Sequence, residues 1–350
     1  MTKQKGDVLW VSVDEKSILK VNEVIPDSNV DFRGNLGQTP LHRAAIRLFP
    51  EAIKVLIQHG ANVNLVDDNG QTALHCVKPG DVESVACMDL LCVMGADVNA
   101  INNRGMTPLH TNTLRTSKRS WYTSDLLYLI RAGSHIEMTD NRGRTPLTIT
   151  AEHGCSHVAQ ALLQHGADPN TRDELGNTPL FLNTTNTNPS VDYVKLLLRY
   201  NGNVINARNH VCDTPLHRAC AQNRPVLGWV KALLNAGADV HAKNCNGDTP
   251  LHMASLVRWT EVVSLLLDHG ADTRIINHLG YTPCNQPSFP SPCGCYQDGG
   301  TSVANAHIMD IETQRRDMCM AFAVGYDRHK IPPEHIQKIL DEAGLNRDDL

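Results

Sequence analysis

Gln38-Thr39-Pro40-Leu41-His42-Arg43-Ala44-Ala45 decides the fold, because it returns as Asp213-Thr214-Pro215-Leu216-His217-Arg218-Ala219 and again as Asp248-Thr249-Pro250-Leu251-His252-Met253-Ala254. Outward from these copies, threonine followed by proline, or once by alanine, stands at Thr39, Thr72, Thr107, Thr145, Thr178, Thr214, Thr249 and Thr282, at intervals of 33, 35, 38, 33, 36, 35 and 33 residues. Leucine comes next in every copy but the last. Glycine follows an apolar stretch at Gly60, Gly95, Gly133, Gly166, Gly202, Gly237 and Gly270, each time 12 residues before the next threonine. Such a period marks an array of small units, none of which can bury its own apolar side.

Length varies only between threonine and glycine. The constant part, such as Gly60 to Thr72, opens with a helix-ending glycine and carries an Asp-Asn-Gly turn cluster, as a hairpin-like loop requires. The variable part opens with a threonine suited to cap a helix and a proline suited to its first turn. It ends in pairs such as Leu162-Leu163, so two short helices joined by a tolerant turn fit between.

These motifs, with His165-Gly166-Ala167-Asp168-Pro169-Asn170 and Asp268-His269-Gly270-Ala271-Asp272, resemble the ankyrin repeat over residues 35–283. The resemblance implies a mostly helical α fold with β-hairpin loops: antiparallel helix pairs stacked into an ankyrin solenoid. The small Ala44, Ala45, Ala219 and Ala254 would let helices approach closely, in keeping with an aromatic content of only 5%. The expected division is an N-terminal segment and degenerate cap repeat at 1–34, then repeats at 35–67, 68–102, 103–140, 141–173, 174–209, 210–244 and 245–277. A degenerate repeat with a Pro/Gly/Cys-rich linker (278–300) and a C-terminal helical tail (301–350) complete it.

The pattern is broken in places. The second, third, fifth and sixth units carry two, five, three and two extra residues between threonine and glycine. Thr111-Asn112-Thr113-Leu114-Arg115-Thr116 predicts a short or distorted first helix, or a protruding loop, in the third unit. Phe181-Leu182-Asn183-Thr184-Thr185-Asn186 predicts weaker packing in the fifth. Cys212 stands where the turn glycine belongs, which predicts a strained or altered turn. Residues 18–25 read as a second helix of the cap.

The net charge of −5 is too mild to point to nucleic acid or an anionic membrane. No 18-residue apolar run or signal peptide is visible, so a soluble cytoplasmic or nuclear protein, monomeric and without cofactor, is expected. The eleven cysteines, odd in number and scattered through apolar helical patterns, fit that compartment. GxSxG, HExxH and GxxxxGK[ST] motifs are absent, and with the repeat consuming most of the chain an enzyme is not expected.

The resemblance implies partner binding on the face made by hairpin tips and first helices. Arg104, Arg142 and Arg144 on adjacent tips, with Arg115 nearby in sequence, form a candidate basic stripe for an acidic or extended protein segment. The alternative is ordinary solvated tips. Met106, Arg47 and His153 join the candidate face, and Trp121, Tyr122 and Trp259 are candidate aromatic anchors or covers for a neighbouring helix. The resemblance assigns the motif histidines to hydrogen bonds along the stack. Cys284, Cys293 and Cys295 with His278 could hold zinc, but their C-x8-C-x-C spacing departs from paired knuckles and suits free thiols. Asn64, Asn99, Asn170 and Asn206, each eight residues after a leucine, are similar to sites of the asparaginyl hydroxylase.

The favoured function is a protein-interaction scaffold or adaptor. The alternative is a substrate receptor of a ubiquitin ligase: Ile331-Pro332-Pro333-Glu334-His335-Ile336-Gln337-Lys338-Ile339-Leu340 is loosely similar to the opening helix of an F-box. A cap over the last repeat is the other role for that tail.

Overall fold

The computed structural model describes residues 2–80, 82–119, 123–185, 190–200, 202–222 and 227–285. Two compact units divide the chain, Met1–Val204 and Ile205–Leu350. In the first, α1 (Thr2–Asp14) and α2 (Ile18–Val24) precede five helix pairs. These are α3 (Pro40–Arg47) with α4 (Pro50–Gln58), α5 (Ala73–Cys76) with α6 (Val82–Val93), α7 (Pro108–Arg119) with α8 (Ser124–Arg131), α9 (Pro146–His153) with α10 (Ser156–Gln164), and α11 (Pro179–Thr185) with α12 (Val191–Tyr200). The second unit holds α13 (Pro215–Cys220) with α14 (Leu227–Asn235) and α15 (Pro250–Leu256) with α16 (Thr260–Asp268).

Local chemistry sets the helix starts. At Thr39 and Thr214 the hydroxyl accepts the N–H of His42 or His217, whose Nδ1 accepts the threonine N–H in return. Each cap contributes about 1 kcal/mol. Proline follows at the first helical position, where a missing N–H costs nothing. The motif leucines Leu41, Leu74, Leu109, Leu147, Leu180, Leu216 and Leu251 are all 2% exposed or less. Truncating any one of them would cost about 2–5 kcal/mol. Ala44, Ala45, Ala151 and Ala254 have no exposed surface and leave room for the neighbouring helix.

The loops are turns rather than strands, and no strand forms among the described residues. Asp67 Oδ1 accepts the N–H groups of Asn69 and Gln71 at 2.9 Å, closing one tip. Asn102, Asp140 and Asp173 do the same in the first unit, and Asn209, Asn244 and Asn277 in the second. Adjacent tips are tied by one backbone bond each. In the first unit these run from the N–H of Asp68, Asn103, Asn141 and Glu174 to the carbonyls of Leu36, Asn69, Arg104 and Arg142 at 3.0–3.1 Å. In the second, Cys245 donates to Val211 at 3.1 Å and His278 to Asn246 at 2.9 Å. A loop that must meet its neighbour this way cannot change length.

Three expectations change on contact with the structure. The third first-helix, α7, is not short but runs for 12 residues. The fifth unit is not loosely packed: Leu180, Phe181, Leu182, Asn183 and Thr184 are buried, and the Asn183 amide donates to the Ala151 carbonyl at 3.0 Å. At the N-terminus α1 pairs with α2, burying Leu9, Val13, Val21 and Ile25, so the cap is a helix pair without the Thr-Pro-Leu-His motif.

Candidate partner-binding face

The motif histidines are structural. Nδ1 of His42, His75, His110, His217 and His252 accepts the N–H of the helix-capping threonine at 3.1–3.2 Å. An N–H can only donate, so the ring proton sits on Nε2. That nitrogen then donates to the carbonyl of Gln71, Met106, Arg144, Asp248 or Tyr281 in the next tip, at 2.8–3.1 Å. Burial lowers the pKa of all five and brings His75 to about 4. These neutral, doubly bonded rings are committed to joining each helix to the following loop.

Thr148 and Phe181 replace histidine in the fourth and fifth units. Between these two, the buried Tyr193 hydroxyl takes over the joining, meeting Thr150 Oγ1 at 2.8 Å and donating to the Leu147 carbonyl at 3.2 Å. A second ladder runs through the hairpin asparagines. Asn64 donates to the Gly95 carbonyl and accepts from the Asp97 N–H, while Asn99 does the same with Gly133 and His135. In the second unit Asn206 accepts from Asp239, whereas the Asn170 amide turns to Asp168.

On the face formed by tips and first helices lies a cavity of about 240 Å³ between the second and third tips. Asn69 and Gln71 form one wall, Asn102, Asn103, Arg104 and Met106 the other, and Thr111, Leu114 and Arg115 of α7 the floor. Side-chain amides dominate the rim, and these donate to and accept from an extended backbone equally well.

The candidate residues divide by what they touch. Arg104 and Arg142 are exposed and carry no ion pair among the described residues. Arg144 is not a free cation: it bonds Asp140 at 2.7 Å and Glu152 at 2.8 Å with 15% of its side chain exposed. Burial opposes its charge, yet the hydrogen bonds to both carboxylates outweigh that and raise its pKa. Arg115 donates to the carbonyls of His75 and Val77 at 2.7 and 3.0 Å, closing the end of the one-turn α5. The stripe read from sequence thus reduces to two solvent-facing guanidiniums.

Met106, expected on an exposed tip, is 3% exposed and presents its carbonyl to His75. Trp259 is 8% exposed, at the N-cap position of α16. Arg47 reaches Asp14 of α1 at 3.7 Å, beside Arg43, which bonds the same carboxylate and stacks 4.4 Å from the Trp10 ring centre. His153 closes α9 and is half-buried. His278 is exposed and Cys284 half-buried. Trp121, Tyr122, Cys293, Cys295, most of the linker and the tail with its F-box-like stretch lie outside the described residues.

Sequence profiles agree with this geometry. The family described as ankyrin repeats (3 copies) matches residues 9–85, 119–209 and 216–286, and the single ankyrin repeat matches 69–103, together well over half of the chain. The chain belongs to the ankyrin-repeat family. The first match begins inside α1, consistent with an ankyrin repeat whose opening motif has been lost. Among relatives, the B-cell lymphoma 3 protein homolog of Mus musculus is 28% identical over 268 residues, 74% of this ankyrin chain and 50% of its own. The B-cell lymphoma 3 protein of Homo sapiens is 30% identical over 235 residues, 67% of this chain and 43% of its own. The nuclear factor NF-kappa-B p105 subunit of Gallus gallus is 30% identical over 166 residues, covering 46% and 16%. The chain spans half or less of the length of these curated relatives. No described helix is long and apolar enough to cross a membrane.

Proposed function

We propose that this chain binds a partner protein as a scaffold or adaptor, gripping an extended segment of it across the second to fourth tips. The observation that carries this reading is the amide-rimmed cavity between the second and third tips, with exposed Arg104 on its wall. Arg142 stands on the next tip, bonded through its own carbonyl to the one after. An extended chain laid across the tips would exchange backbone hydrogen bonds with Asn69, Gln71 and Asn103 and set an acidic side chain near the two guanidiniums.

The test is affinity capture from cells with the wild-type chain and with Arg104→Glu/Arg142→Glu. Both side chains are solvent-facing, so the double variant is expected to melt with the wild type while losing a defined set of captured proteins. A captured set identical to wild type overturns the reading.

A further inference from the structure

Two positions face each other across neighbouring tips within each unit: the turn residue two before the motif threonine, and the residue four before the next threonine. A Cβ added at Gly37 would fall 2.2 Å from Asp68 Oδ1, at Gly70 2.4 Å from Asn103 Oδ1, and at Gly105 2.4 Å from Asn141 Oδ1. At Gly143 it would lie 2.9 Å from the Glu174 nitrogen, and in the second unit a Cβ at Gly247 would lie 2.8 Å from His278 Cδ2. In the second unit the same pair of positions is filled by Cys212 and Cys245.

The register holds at this pair. Cys212 adopts φ 61°, in the left-handed region the turn glycines use, and its N–H closes the usual turn onto the Asn209 carbonyl at 2.9 Å. The N–H of Cys245 donates to Val211 at 3.1 Å, as its counterparts do. The Cys212 side chain is therefore aimed at Cys245. The neighbouring Cys212 thiol pushes the Cys245 pKa up, with the nearby Arg208 guanidinium opposing the rise, while the Cys245 thiol donates to the His210 carbonyl at 4.0 Å. Both thiols are free, Cys245 exposed and Cys212 half-buried, whereas Cys76, Cys87 and Cys220 are buried. Facing thiols at an exposed loop pair are the arrangement a reversible disulfide needs.

We propose that Cys212 and Cys245 are an oxidation site, forming a reversible disulfide that staples two neighbouring tips when hydrogen peroxide is present. The solvent-facing Cys245 thiolate attacks one peroxide oxygen. The O–O bond breaks, hydroxide leaves and is protonated to water, and Cys245 becomes a sulfenic acid. The Cys212 thiolate attacks that sulfur, the S–S bond forms as the S–O bond breaks, and a second water leaves. Two thiols are oxidised and one peroxide is reduced, giving one disulfide and two waters. A dithiol reductant restores both thiols by exchange. The crosslink closes a covalent loop around α13 and α14, so it clamps two tips without crossing the helices beneath them.

The test uses the full chain, diluted to suppress contact between molecules and exposed to graded hydrogen peroxide. Remaining thiols are blocked with N-ethylmaleimide, and the protein is digested without reductant for mass spectrometry. The expected product joins the Cys212 peptide to the Cys245 peptide with the loss of two hydrogens, disappears after dithiothreitol, and forms at doses that leave Cys76 and Cys220 reduced. Cys245→Ser, a change at an exposed side chain, is expected to fold as wild type by circular dichroism and to abolish the joined peptide. Recovery of both cysteines as maleimide adducts or as separate sulfinic acids overturns the proposal. So does Cys245 joined to any other cysteine, within the chain or in a second molecule.

Discussion

The Ser84 hydroxyl, at the start of α6, donates 2.7 Å to Oδ1 of Asp125, a carboxylate of α8 in the next repeat with no exposed surface. The other oxygen of Asp125 accepts the Gly80 N–H at 2.9 Å, so one carboxylate holds the inter-helix loop of one repeat against its neighbour. Asp125→Ala removes the shared acceptor of the buried Ser84 hydroxyl and the half-buried Gly80 N–H, and is expected to cost about 3 kcal/mol. Asp125→Asn keeps one acceptor and is expected to cost less. Urea denaturation of the full chain measures both; an alanine variant within about 0.5 kcal/mol of wild type would remove this pin from the account.

The histidine ladder makes stability sensitive to acid. Burial holds His75 near 4 in the folded chain, against an ordinary 6.5 in the unfolded one, and His42, His110, His217 and His252 shift the same way. Between the two values the unfolded state carries the extra proton, so stability is full above pH 6.5 and falls as pH drops toward 4. His75 alone accounts for about 2 kcal/mol between about pH 7 and about pH 5. Urea midpoints across that interval should fall steadily, and a flat profile would contradict the neutral, buried rings.

Arg144 and Arg104 should separate in a melting experiment. Arg144 is held by two carboxylates and is 15% exposed, so Arg144→Ala is expected to lose about 1–2 kcal/mol. Arg104 is exposed and unpaired by any described acid, and Arg104→Ala should melt within about 0.5 kcal/mol of wild type. The reverse order would mean that the ion-pair geometry at Asp140 is not what holds this tip.

Cys212 occupies a left-handed turn that suits glycine, at φ 61°. A side chain there costs about 1 kcal/mol relative to glycine, so Cys212→Gly is expected to raise stability by up to that amount. A lower melting temperature for this variant would show that the thiol contact outweighs the backbone strain.

Much of the fold was legible because the marks are local. A threonine that caps, a proline that starts and a glycine that turns each act within four residues, so Thr39-Pro40-Leu41-His42 announces its helix without knowledge of any partner. The α1–α2 pair was only half legible, since α1 lacks that motif and shows itself only through buried Leu9 and Val13, four residues apart. Exposure at the candidate face was less readable still. Met106 sits at a loop position that looks solvated, yet it is 3% exposed in the folded chain. Arg144 looked free because one of its partners, Glu152, lies eight residues on in α9. The facing of Cys212 and Cys245 follows from superposing one repeat on the next, a signal present in the text but visible only once the tips are known to touch.

Where histidine gives way to Thr148, the fourth and fifth repeats become a keyed pair instead of interchangeable bricks. Tyr193 on one fits Thr150 and Leu147 on the other, and Asn183 fits Ala151. Transplanting a generic repeat into either place would strand a buried phenol or a buried amide with nothing to meet it. Duplication or shuffling of repeats along this chain therefore has a natural barrier at that junction, and the two must travel together.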